Sequence, residues 1–128
     1  MKTKERITYF LVSLVGMLIL TRIYLHFLPN ANINVGNYNI HHIYLGTFLL
    51  ILSVILLILN NSNKFIFILS GISTALIIDQ VPFLIFTDAT DSAYFSYFSL
   101  IGAFVLAAII TIIILVLYLL KVKKWKFT

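Results

Sequence analysis

The chain contains no cysteine, so neither a disulfide framework nor a thiolate metal site is available to it. Charge is scarce as well: only 10% of the 128 residues are Asp, Glu, Lys or Arg, against about a quarter in an average soluble domain. That is too little to cover a soluble surface. Acid is the scarcer sign, with four Asp and Glu against nine Lys and Arg and a net charge of +5. Proline occurs twice and glycine five times, leaving long stretches with nothing to interrupt a helix. No nucleophile elbow, glycine-rich phosphate loop or basic surface interleaved with aromatics is present. Their lack argues against phosphoryl transfer and nucleic-acid binding.

What the chain has instead is hydrocarbon. Hydrophobic residues make up 62% of it and the mean hydropathy is +1.09. They gather into four runs, about Ile7 to Leu28, Ile40 to Leu59, Phe65 to Phe86 and Ala93 to Leu120. Each reaches the roughly 18–20 residues needed to cross a bilayer, and the last is long enough to tilt or project. The first run follows a basic start, as a signal peptide would, but it is long and no A-x-A-like cleavage site follows, so it reads as a retained anchor. The links are short and carry turn chemistry: Pro29 to Asn39, Asn60 to Asn63, and Thr87 to Ser92. Short links make consecutive helices antiparallel neighbours. The expected fold is all-α: one transmembrane domain over residues 1–128, four helices in an up-down bundle, in a multi-pass protein of the cell membrane.

The basic residues set an orientation. Lys2, Lys4 and Arg6 precede the first run, Lys64 lies in the second link, and Lys121, Lys123, Lys124 and Lys126 follow the fourth run. All eight fall on one side, which the positive-inside rule makes cytoplasmic, so both termini are expected there. Trp125 and its lysine neighbours read as interfacial anchors.

The polar residues inside the runs fall toward the opposite, outer side. Asp79 is the strongest signal, since an acid in hydrocarbon is costly and usually faces the bundle or a water-filled cavity. Gly71, Ala75 and Asp79 share one helix face at four-residue spacing, and small residues there let another helix approach. Pro82, three residues on, removes a backbone donor and predicts a kink or loosened turn. Arg22, in the same leaflet, is the natural ion-pair partner of Asp79, and a structural pair is the bland reading of both. His26 stacks on the face of Arg22 at a spacing of four.

His41 and His42 open the second run and point about 100° apart on a helix, so at most one looks straight into the bundle. His42 is the inward candidate, because Gly46 and Ser53 continue its face. His41 is placed toward the outer loop or the headgroups, and an interfacial histidine with no ligand explains either one alone. Gln80 follows Asp79, and Asp88 and Asp91 lie just above. On the last run Ser92, Ser96, Ser99, Ala103 and Ala107 form a small-residue stripe. It suits packing against other helices, including those of a second copy. Tyr94, Phe95, Tyr97 and Phe98 read as an aromatic belt at the interface.

Histidine and aspartate from three helices have the composition of a site for zinc or another divalent metal, although no H-E-x-x-H spacing is present. The candidate ligands are His42, Asp79, His26 and His41, with Arg22, Gln80 and Asp91 in support. A bis-histidine haem between His26 and His42 is a weaker alternative, since it leaves the acid and the arginine unexplained.

Arg22 and His26 ahead of Pro29, the stretch Asn39-Ile40-His41-His42-Ile43-Tyr44-Leu45-Gly46, Gly71 through Asp79-Gln80, and Asp91 before Tyr94 together resemble a group of small uncharacterised prokaryotic integral membrane proteins with four helices. That group shows H-x-H-H followed by a glycine, and later an apolar run ending in D-E. This chain departs from it twice, with Asn39 in place of the first histidine and Gln80 in place of the glutamate. Each change removes a potential ligand or base. The resemblance implies a polar site on the outer side and names no reaction.

The leading expectation is therefore a membrane protein that binds a metal or small polar ligand, with Asp79 and His42 as primary ligands. Alternatives are a metal-dependent enzyme acting on a lipid headgroup, a transporter or channel subunit, and an accessory subunit whose polar cluster is structural. The inner halves of the runs hold only scattered Ser, Thr and Gly, which argues against a continuous polar path. Whether the chain is an enzyme is left open.

Overall fold

A computed structural model describes residues 1–28, 33–35, 38–59, 63–87 and 91–125. Pro29, Asn60, Asp88 and Lys126 lie outside the described residues, as do the side chains of Asn39, Asp91, Ser92, Lys124 and Trp125. The elements in order are α1 (Thr3–Phe27), β1 (Ile33–Val35), β2 (Tyr38–Ile40), α2 (His42–Ile58), α3 (Lys64–Phe86), α4 (Asp91–Tyr94) and α5 (Tyr97–Trp125). Four long helices make an all-α bundle, and α4 is a single turn leading into the last of them. The helices α1, α3 and α5 are long and apolar enough to cross a membrane.

Two differences from the expected boundaries bear on the site, while α1 starts earlier, at Thr3, and α5 ends later, at Trp125, than their apolar runs. The apolar pattern predicts a second span from Ile40, but α2 begins at His42 and has 17 residues. Ile40 is instead drawn into a short antiparallel ladder, where it pairs with Ile33. The same pattern predicts one helix for the fourth run, which breaks between α4 and α5 at Phe95 and Ser96. There the amide of Ser96 closes the turn on the carbonyl of Ala93 at 3.0 Å, and the Ser96 hydroxyl accepts from the Ser99 amide at 3.3 Å. This is the N-cap arrangement that serine favours. Through Pro82, by contrast, α3 continues as helix to Phe86.

The centre of the bundle is α3, which α1, α2 and α5 all pack against. Close approaches set these contacts. A Cβ on Gly71 would strike the Ser13 hydroxyl and the Phe10 carbonyl of α1. A Cβ on Gly102 of α5 would lie 2.5 Å from the Pro82 ring. On the side of α2, Gly46 faces the backbone at Ser73, and Gly46 and Ser53 are the buried residues of that helix. The apolar core is Leu14 and Leu18 of α1, Ala75 and Ile78 of α3, and Ala103 and Ala107 of α5. Ser99 and Ala103 are fully buried within the chain, so this part of the small-residue stripe serves the chain's own packing.

Hydroxyls inside the bundle bond back to their own helices, as Ser53 does to Leu50 at 2.8 Å and Ser73 to Ser70 at 2.9 Å. That satisfies them without water. The outward faces carry large exposed apolar side chains, among them Val12, Phe48, Ile112 and Leu119. Such faces suit lipid. The chain direction puts the starts of α1 and α3 and the end of α5 at one end of the bundle, where Arg6 lies 5.6 Å from the centre of the Phe67 ring. The polar cluster lies at the other.

Candidate functional site

Asp79 has no exposed surface, and its carboxylate is held by side chains from three other elements. Arg22 of α1 donates through Nε to Oδ1 at 2.5 Å, across 57 residues of sequence. His42 of α2 places Nε2 2.9 Å from Oδ2. The Tyr94 hydroxyl of α4 donates to the same oxygen. A carboxylate held in this way keeps its charge out of the apolar core, because it has an opposite charge on one oxygen and two hydrogen bonds on the other.

Arg22 is itself nearly saturated. Nη1 donates to the Tyr94 carbonyl at 2.8 Å, and Nη2 lies 3.1 Å from the Ser99 hydroxyl and 3.3 Å from the carbonyls of Ser99 and Asp79. The helix break explains this pattern. Where α4 stops, its last backbone carbonyls lose helical partners, and the guanidinium supplies a donor to that of Tyr94. Arg22 thus neutralises Asp79 and caps the break together.

Gln80 extends the network to the other nitrogen of His42, with Nε2 3.3 Å from Nδ1. The roles in these two contacts follow the tautomer of the ring: with the proton on Nε2, His42 donates to Asp79 and accepts from the Gln80 amide nitrogen. The remaining amide oxygen of Gln80 is buried and has no hydrogen-bond partner among the described residues. His42 is the most open member, with its side chain 21% exposed. Its ring meets Tyr94 edge-on at 6.0 Å.

The other expected residues stand elsewhere. His41 occupies the N-cap position of α2, with its ring 6.2 Å from that of Phe83. His26 is exposed and touches the rings of Phe27 and Phe95 edge-on. It lines an open groove of about 310 Å³ together with Arg22, Ile23, Phe27, Phe95 and Leu100. His42 is not among the residues that line this groove. Among the described residues no group of three or more His, Asp or Glu side chains is placed to hold a metal ion. Asp79 and His42 are a pair, and both oxygens of the acid are already engaged.

Two members of the cluster are not evident from the sequence pattern. Tyr94 reads there as part of the interfacial belt but is 6% exposed, turned inward by the break. Tyr97 and Phe98, at 72% and 71%, do face outward. Ser99 reads only as a small residue for packing. The signal for both is Ser96, whose N-cap chemistry marks a helix start inside an otherwise unbroken apolar run.

Comparison with protein families, with characterised proteins and with solved structures gave no match. Function must therefore be read from the geometry of the cluster.

Proposed function

We propose that this small multi-pass membrane protein binds a small polar ligand that donates a hydrogen bond, at the outer end of the bundle beside His42 and Gln80. One observation carries the reading: the Gln80 amide oxygen is buried without a partner among the described residues, next to the most open residue of the network. A buried acceptor left unsatisfied costs about 1–3 kcal/mol, and a ligand N–H or O–H would recover that cost. The Arg22–Asp79 pair then acts as the frame that fixes His42 and Gln80. Assignment of this end to the outer face, and of both termini to the cytoplasm, rests on the basic residues gathered at the opposite end. The resemblance to small prokaryotic membrane proteins with H-x-H-H and D-E patterns supports a polar site at these positions.

The test is thermal unfolding of detergent-purified protein with ammonium, ethanolamine or glycerol as donor probes and acetate as a control without a donor. At least one donor is expected to raise the unfolding temperature of the wild type by a few degrees and to leave Gln80→Leu unmoved. Equal behaviour of all probes in both proteins overturns the reading. Zinc belongs in the same series, because a rise with zinc that chelation reverses would favour the metal alternative.

A further inference from the structure

The groove between α1 and α5 is separate from the His42–Gln80 edge, and its walls have a different character. Ile23, Phe27, Phe95 and Leu100 are all exposed apolar side chains, continuous with the faces that suit lipid. Arg22 belongs to the same lining although only 9% of it is exposed. A guanidinium has five N–H donors. In Arg22 the Nε donor goes to Asp79, the Nη2 pair is shared among Asp79 and Ser99, and one Nη1 donor goes to Tyr94. Nη1 carries two N–H groups and has one acceptor among the described residues, the Tyr94 carbonyl, so it has a donor to spare.

The charge of Arg22 is already balanced by Asp79, whose carboxylate would repel a second anion placed beside it. The spare donor therefore suits a neutral acceptor better than a phosphate or a free carboxylate. Depth adds a second constraint. Arg22 lies five residues, about 8 Å, inside the end of α1 at Phe27, while His26 sits nearer the headgroup layer. A groove of about 310 Å³ is at the small end of the range for ligand sites and accommodates part of a lipid rather than the whole.

We propose that this groove holds the ester-linked glycerol region of a bilayer phospholipid. One ester carbonyl accepts from Arg22, the upper acyl chain lies between Ile23 and Leu100, and the headgroup passes His26. Recognition then depends on the ester and not on headgroup charge.

The experiment is native mass spectrometry of detergent-purified protein supplied with a diester phosphatidylcholine or its diether analogue, which lacks the carbonyls. The ester lipid is expected to be retained at least threefold more than the ether lipid. Leu100→Trp, which fills the groove from an exposed position, is expected to abolish that preference while the unfolding temperature stays within a few degrees. Ile23→Trp fills it from the opposite wall and serves if Leu100→Trp does not fold. Equal retention of ester and ether lipids overturns the proposal, as does an unchanged preference in a folded tryptophan variant. Neither result bears on the donor site at Gln80.

Discussion

The guanidinium of Arg22 stands 4.2 Å from the centre of the Tyr94 ring and also donates to the carbonyl oxygen of that residue at 2.8 Å. One cation thus holds Tyr94 by its face and by its backbone, while the Tyr94 hydroxyl reaches past it to the acid that balances the charge. The four-residue turn α4 is kept against the bundle by these contacts with α1 and α3.

Removing either charge alone should be worse than removing both. Breaking a buried ion pair from one side costs about 3–5 kcal/mol, because the remaining charge stays uncompensated, whereas an apolar replacement of the whole pair is often nearly neutral. Arg22→Leu and Asp79→Leu are each expected to destabilise the protein by about 3 kcal/mol, and the double variant by less than either. Denaturant titration in detergent micelles measures all three. A double variant that folds but no longer responds to a donor probe would place the cluster in ligand binding as well as in folding.

The hydroxyl of Tyr94 can be separated from its ring. Tyr94→Phe removes the hydrogen bond to Asp79 and keeps the ring over Arg22. Hydrogen bonds to charged groups contribute about 1.5–3 kcal/mol, so a loss near the bottom of that range is expected, since His42 still serves the same carboxylate oxygen. Tyr94→Leu should cost clearly more by the same titration, because the cation–ring contact is lost too.

Close approach at Gly71 gives a prediction about packing. Gly71→Leu places a side chain where Ser13 and the Phe10 carbonyl stand, and it should force α1 away from α3 and lower the yield of folded protein. Gly16→Ala is the matched control: a Cβ there meets nothing within 4 Å, and alanine favours helix over glycine by about 1 kcal/mol. Size-exclusion profiles and unfolding temperatures of the two variants should move in opposite directions.

Much of this architecture is legible in the sequence, because hydrocarbon thickness and charge placement are read from composition along the chain. The face of Gly71, Ala75 and Asp79 does meet α1, and that of His42, Gly46 and Ser53 does meet α3. A lone arginine and a lone acid at the same depth find each other, since neither has an alternative partner in lipid. The inward turn of Tyr94 is hidden, as the apolar pattern runs on through Phe95 and Ser96. The break there is stabilised by a donor from Arg22 to the Tyr94 carbonyl, more than 70 residues away in the chain, which no local pattern reports. The late start of α2 has a similar origin, in the pairing of Ile33 with Ile40.

The 17 residues of α2 make a helix of about 26 Å, shorter than a hydrocarbon layer of about 30 Å. Local thinning is one way a bilayer matches so short an element, whereas α5 on another flank is long enough to span with some tilt. The water–lipid boundary should therefore dip on one side of the protein only, above the first turn of α2. Such a dimple would bring hydrated headgroups down to His42, while Asp79, which has no exposed surface, would stay dry.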